Sequence, residues 1–299
     1  MLRNKENLRA EGEKVKYEPW MIQELVKCKE DIIHFVENYM YIVELDKGIN
    51  LFKPYDYQKK ILKCYINPPN DKRHIICMQP RQSGKTAITT AYLLHYALFN
   101  DDKTIYILAN KFATCREIID RIKFAYERLP LWLQVGIKND GWNQTTISLE
   151  NGSRIFISTT SSSSISGKSV SLLYIDEYSK IPENIQREFM TATYPVISSG
   201  KTSKIIITST PLGMNLFYKM WNDAIRGLNN FYPVKVNYWE NPKYDDEWRR
   251  LVISDIGTVA FNQEYLCVDK NTIITIKNKK TNKIERVKIG DFYSNYLEI

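Results

Sequence analysis

Between Arg73 and Asn230, five short apolar runs alternate with stretches of helical spacing: HIICMQ (74–79), TIYILAN (104–110), RIFISTT (154–160), SLLYID (171–176) and KIIITST (204–210). Runs this short that stay apolar on successive residues, rather than on every second one, belong to strands buried on both faces. Helices crossing between parallel strands provide that cover. The alternation therefore predicts an α/β fold with a largely parallel sheet. A chain of 299 residues with 43% hydrophobic content can bury a core for one large domain or two smaller ones, which excludes a disordered chain or a pure scaffold.

The flanks have a different character. From Glu18 to about Val43, the residues Met21, Ile22, Leu25, Val26, Ile32, Ile33, Phe35, Val36 and Tyr39 recur at helical spacing and predict one or two amphipathic helices. After Phe231 the chain turns aromatic and polar (Tyr232, Tyr238, Trp239, Tyr244, Trp248), and a helix is expected to end near Gly257. From Cys267 a β-like alternation surrounds a lysine-rich turn, a composition break that marks a separate module. The expected organisation is N-terminal helices over 1–55 contributing to a small subdomain, a core over 56–230, a small lid over 231–266 and a terminal module over 267–299. The hydroxyl-rich run Thr159 to Ser164 is expected to be a loop.

The net charge of +8, the difference between 42 basic and 34 acidic residues, permits a nucleic-acid partner without requiring one. Cysteines at 28, 64, 77, 115 and 267 form neither CxxC pairs nor an even framework and read as reduced thiols. No apolar N-terminal run and no membrane-length stretch is present, so the expectation is a cytoplasmic protein without a membrane partner.

The first apolar run ends where a phosphate-binding loop would begin. Gln79-Pro80-Arg81-Gln82-Ser83-Gly84-Lys85-Thr86 follows Ile75–Met78 and precedes the helical pattern AITTAYLLHYALF. A strand, loop and helix in this order aim backbone N–H groups at phosphate oxygens, with Lys on the β- and γ-phosphates and Ser or Thr on Mg²⁺. Gln79 stands where the standard pattern has Gly, so Gly84, Lys85 and Thr86 carry the signal together with their context. That context is the run Leu172-Leu173-Tyr174-Ile175, which ends in Asp176-Glu177. An acid at such a strand end can hold Mg²⁺, and its neighbour can activate the attacking water. Arg81 is either a cis arginine finger on the γ-phosphate or an ordinary surface arginine. Tyr55-Asp56-Tyr57-Gln58 either stacks a ring on adenine and reads its edge through the Gln58 amide, or is a helix start with a packed aromatic. Thr208-Ser209-Thr210-Pro211 follows a third run and puts hydroxyls at the same sheet edge.

With these residues assembled, the chain resembles the ATPase domain of the large terminase subunit of tailed phages, from roughly Glu18 to Leu266. The resemblance is carried by the deviant loop Gln79–Thr86, by Ser166-Gly167-Lys168-Ser169 before LLYIDEYSKIP, and by Thr208–Pro211 followed by Gly213-Met214-Asn215-Leu216-Phe217-Tyr218. It implies a P-loop NTPase of the ASCE/RecA-like terminase class with a small helical lid, using ATP and Mg²⁺. It places Gln58 near adenine, Gln79, Arg81, Gln82, Ser83, Gly84, Lys85 and Thr86 around the nucleotide, and Arg81 and Lys85 on the phosphates. Thr86 and Asp176 would hold Mg²⁺, Glu177 would be the catalytic carboxylate, and Thr208, Ser209 and Thr210 the coupling motif. The implied partners are double-stranded DNA, a portal protein and a small terminase subunit, with the chain in a homo-oligomeric ring in the bacterial host cytoplasm. A superfamily 2 helicase-like translocase shares such motifs but needs a second RecA-like domain; a P-loop module binding nucleotide for assembly only is the non-enzymatic alternative. The RNase H-like nuclease that follows the ATPase in the family is expected to be absent from this chain.

The segment from Cys267 is similar instead to the start of an intein, a β-rich Hint segment: Cys-Val-Asp-Lys-Asn-Thr-Ile-Ile, then Val287-Lys288-Ile289-Gly290-Asp291 after a short hairpin. Splicing would begin when the Cys267 thiol attacks the Leu266 carbonyl in an N-to-S acyl shift. The alternative is a structural cysteine heading a terminal hairpin. The expectation is an intein N-terminal segment, either one half of a split pair whose complementary C-terminal fragment carries the nuclease, or part of a truncated chain.

Overall fold

The computed structural model describes residues 8–161, 164–165, 167–213, 215–266, 273–277, 281–288 and 291. Helices α1 (Pro19–Glu30) and α2 (Ile32–Tyr39) lead into a hairpin of β1 (Tyr41–Glu44) and β2 (Gly48–Leu51), then α3 (Asp56–Ile66). The alternating part follows as β3 (His74–Met78), α4 (Lys85–Phe99), β4 (Thr104–Ala109), α5 (Phe112–Tyr126), β5 (Ile137–Trp142), β6 (Thr146–Leu149), β7 (Arg154–Thr159) and β8 (Leu172–Asp176). It closes with α6 (Glu183–Ser198), β9 (Lys204–Ser209), α7 (Leu216–Ile225) and β10 (Phe231–Lys235).

All five apolar runs are strands of one eight-stranded sheet, in the order β10-β3-β9-β8-β4-β7-β6-β5. Every neighbouring pair from β10 to β7 is parallel. The pairs β7–β6 and β6–β5 are antiparallel. Strands β3 and β8 are buried at every position, which is why they are apolar without alternation. Ile75, Ile107, Leu172 and Ile206 are fully buried, and each such side chain contributes about 1.5–3 kcal/mol.

Two boundaries differ from the sequence expectation. Phe231–Lys235 pairs in parallel with β3 as the edge of the sheet, so the sheet runs past residue 230 and the small subdomain does not begin at 231. Its central Pro233 cannot donate to a ladder, which an edge strand tolerates. The N-terminal helices also join the main core rather than a separate subdomain: Cys28, Phe35, Val36 and Met40 are buried in the same cluster as Leu93 and Leu94 of α4. Phe35 meets His95 and Phe99 edge-on, and His95 Nε2 donates to the Cys28 carbonyl at 2.8 Å. Glu24 ties α1 to α2 by accepting from His34 Nε2 (2.5 Å) and Tyr39 Oη (2.9 Å).

The chain divides into two compact units, one up to Val236 and one from Asn237 onward. In the second, α8 (Asp246–Phe261) is capped by Asp245, which accepts from the Trp248 N–H at 2.8 Å. Gly257, at φ +80°, kinks this helix where the sequence suggested an end, and the helix resumes to Phe261. Tyr244 stacks on Trp248, and Phe261 and Tyr265 complete an aromatic cluster. Strands β11 (Ile273–Lys277) and β12 (Ile284–Lys288) form an antiparallel hairpin. Cys267, Asn271, Thr272 and Gly290 lie outside the described residues, as do Ser166 and Met214 of the motifs quoted above. No helix among the described residues is long and apolar enough to cross a membrane.

Candidate active site

Register brings the sequence motifs together. Strand β9 lies between β3 and β8, with Met78 opposite Ser209 and Ile175 opposite Ile207. All three strands point the same way, so the loop after β3, the acids ending β8 and the hydroxyls ending β9 share one edge of the sheet, where ligands of open α/β sheets bind.

The loop is braced from beneath. Gln82 and Gly84 both take positive φ, +55° and +76°, which turns the chain sharply into α4. A Cβ on Gly84 would lie 2.4 Å from Gln58 Nε2, so space as well as backbone conformation demands glycine. The buried Gln58 amide accepts from the Tyr55 N–H through Oε1 (2.9 Å) and donates through Nε2 to the Ser83 carbonyl (3.2 Å). Tyr57 Oη donates to the same carbonyl at 2.8 Å. Gln58 is thus wedged under the loop Gln79–Thr86, its Nε2 bonded to the loop and its Oε1 to the cap of α3. Gln79, fully buried where the standard loop has Gly, donates its N–H to the Ser209 carbonyl (3.0 Å) and accepts from Ser83 Oγ (3.2 Å). Arg81 and Gln82 are exposed on the outer turn, and Thr86 is half-buried in the first turn of α4.

The two neighbouring carboxylates have opposite surroundings. Asp176 is buried, and its Oδ1 accepts from Thr208 Oγ1 (2.8 Å), Tyr174 Oη (3.2 Å) and the Glu177 N–H (3.0 Å). Burial pushes its carboxyl above the usual range against the pull of Lys85, and the Glu177 charge adds to that push. Glu177 sits at φ +51°, a left-handed conformation that costs a non-glycine residue about 1–3 kcal/mol and clusters at functional sites. Its Oε1 is 2.9 Å from Lys85 Nζ, and its Oε2 is 2.8 Å from Lys180 Nζ and 3.5 Å from Thr210 Oγ1. Burial alone would raise the Glu177 carboxyl, but the Lys85 and Lys180 ammonium groups outweigh it and hold the group below the usual range.

Two neighbours were missed by sequence reasoning. The short 3₁₀ turn Tyr178–Lys180 carries Ser179, whose N–H donates to Ser209 Oγ (3.0 Å) and whose Oγ donates to the Thr210 carbonyl (2.6 Å). Asn215, the cap of α7, donates to the Ser179 carbonyl at 2.8 Å. Ser179 in an irregular turn and Asn215 in the cap of a helix 36 residues on have no periodicity to betray them. The available signals were the place of Ser179 just after Asp176-Glu177 and that of Asn215 just after Thr208–Pro211.

A family model described as "Terminase large subunit, T4likevirus-type, N-terminal" matches residues 76–279, well over half of the chain. The chain belongs to the terminase large-subunit family. The fold of this terminase chain is similar to that of the HK97 bacteriophage large terminase, at 14% identity and a TM-score of 0.67, covering 82% of this chain and 56% of that one. It is also similar to the large terminase of thermophilic bacteriophage D6E in complex with ADP (15% identity, TM-score 0.58, 72% of this chain and 53% of that one). The Thermus phage P74-26 large terminase ATPase domain matches at 20% identity and a TM-score of 0.55, over 72% of this chain and 93% of that one. This terminase chain therefore spans about half the length of the HK97 and D6E proteins and nearly all of the isolated P74-26 ATPase domain.

Proposed function

We propose that this terminase chain is an ATP-hydrolysing motor that moves double-stranded DNA during phage packaging. The observation that carries the reading is the Lys85–Glu177 pair at 2.9 Å, set beside Asp176 and Thr208 at the end of a glycine-turned loop. Lys85 and the N–H groups opening α4 would hold the β- and γ-phosphates. Arriving phosphates would draw the Lys85 ammonium to themselves and free Glu177 Oε1 to orient and deprotonate the attacking water. Arg81, on the outer turn, would add charge to the γ-phosphate.

Thr86 and Asp176 offer the hard oxygen donors that Mg²⁺ prefers. All three hydrogen bonds that Asp176 accepts fall on Oδ1, and a buried carboxylate with its second oxygen unengaged among the described residues suits a divalent cation. Mg²⁺ bound there would neutralise charge developing on the phosphates. Thr208 touches Asp176, the Ser209 carbonyl accepts from Gln79, and Ser179 joins Ser209 and Thr210 to Asn215 at the start of α7. We assign this bonded path the task of reporting phosphate loss to the rest of the motor. The Gln58 amide would serve the nucleotide by fixing the loop. A portal protein and a small terminase subunit are the proposed partners, with the chain in a homo-oligomeric ring.

The test is ATP turnover: Lys85→Ala and Glu177→Gln should each abolish it in a folded protein, and turnover retained by either would remove the mechanism.

For the terminal module, over 267–299, we propose an intein N-terminal segment in which Cys267 attacks the Leu266 carbonyl. The antiparallel hairpin β11–β12 between Cys267 and Asp291 supports it. Dithiothreitol should then release the peptide beginning at Cys267, and Cys267→Ala should not; an uncleaved wild-type chain would count against splicing.

A further inference from the structure

We infer that Lys180 is a positioning residue for ATP hydrolysis, anchoring one oxygen of the Glu177 carboxylate so that the oxygen released by Lys85 faces the attacking water. The inference rests on the ATPase reading above and deepens it.

The two oxygens of Glu177 are held separately. Oε1 belongs to Lys85, at 2.9 Å, and Oε2 to Lys180, at 2.8 Å. Lys85 opens α4 directly after the phosphate loop, so a polyphosphate would compete with Glu177 for its ammonium, and the more highly charged ligand wins. Oε1 would then lose its partner. Without a second anchor, the carboxylate would swing through its rotamers at the moment it must point at water.

Thr210 is too weak to be that anchor, because its Oγ1 lies 3.5 Å from Oε2, at the outer limit of a hydrogen bond. Lys180 is better placed. It stands three residues after Glu177 on the 3₁₀ turn, its own N–H donates to the Glu177 carbonyl at 2.9 Å, and the turn is pinned to β9 by Ser179. The backbone on both sides of the ion pair is therefore fixed before nucleotide arrives. Pairing one oxygen while freeing the other divides the carboxylate into an anchored half and a working half, a preorganised geometry of the kind that separates fast from slow active sites.

The experiment is steady-state ATP hydrolysis by the full chain and by Lys180→Met and Lys180→Arg. Lys180→Met is expected to lower kcat about ten- to hundredfold, the cost typical of a misplaced catalytic group, while KM for ATP stays within about twofold because Lys180 does not touch the group that binds phosphate. Lys180→Arg, which keeps a cation near Oε2, should restore most of kcat. The thermal midpoint should not move, since a half-exposed ion pair contributes little stability. An unchanged kcat in Lys180→Met would overturn the inference, as would a raised KM with kcat intact or an Arg variant as slow as the Met variant. Absence of turnover in the wild-type chain would remove the ATPase reading itself, and an active wild type with an equally active Lys180→Met would remove this inference alone.

Discussion

Gly84→Ala is the most informative single perturbation of the phosphate loop, because two separable costs meet at that position. The first is conformational: φ is +76°, and an L-residue held there costs about 1–2 kcal/mol. The second is steric, because the new Cβ would stand 2.4 Å from Gln58 Nε2, so the amide must leave. In leaving, it gives up its bonds to the Ser83 carbonyl and the Tyr55 N–H, each worth about 1 kcal/mol net. The single variant should therefore lose about 3–4 kcal/mol. Removing the amide first with Gln58→Ala leaves only the conformational cost, so the same glycine change should then take away about 1–2 kcal/mol. Urea unfolding of the four members of this double-mutant cycle, followed by tryptophan fluorescence, measures both numbers. A coupling energy below about 0.5 kcal/mol would refute the claim that Gln58 is wedged against the loop.

Burial lowers the pKa of both His74 and His95 to about 4, whereas an unfolded histidine titrates near 6.5. The unfolded chain therefore binds more protons, and stability should hold above about pH 6.5 and fall toward pH 4, by up to about 3 kcal/mol per histidine; a urea midpoint that is flat from pH 7 to 4.5 would contradict this. Asp176, raised by burial, disfavours its charged form in the folded state, so its cost is absent at low pH and grows as pH rises through the folded value. Asp176→Asn keeps an Oδ1 acceptor for Thr208, Tyr174 and the Glu177 N–H, and should hold or raise the thermal midpoint at pH 8 while turnover is lost; a large fall in midpoint would show the charge to be stabilising. Ser179→Ala removes the bonds to Ser209 Oγ and the Thr210 carbonyl and should cost about 1–2 kcal/mol, with turnover reduced; wild-type values in both assays would break the proposed path to α7.

The parallel core and the glycine-turned loop Gln79–Thr86 were legible in the sequence because both are local. Doubly buried strands must be apolar on consecutive residues, and β3, β4, β8 and β9 declare themselves in that way, whereas β7, also apolar over Ile155–Ile157, is buried only on alternate residues. The edge strands do not. β10 carries Pro233 and is buried on few positions, and β5 carries Asn139, Asp140 and Gly141, so each is a strand only because a neighbour offers a ladder. The amphipathic stripes of α1 and α2 were visible, but their destination, the core beside α4, was not.

The sequence by itself therefore determined the class of fold, the loop Gln79–Thr86 and the acids Asp176 and Glu177, since propensity, burial and motif spacing act over a few residues. Tertiary structure alone decided that β9 lies between the loop strand and the acidic strand, which sets Thr208 on Asp176 and Ser209 on Gln79. It also decided that Gln58 lies under Gly84 and that Glu177 is shared between Lys85 and Lys180. Apart from the local Glu177–Lys180 pair, these contacts join residues far apart in the chain, and strand order and register, which no local pattern encodes, are what bring them within hydrogen-bonding distance.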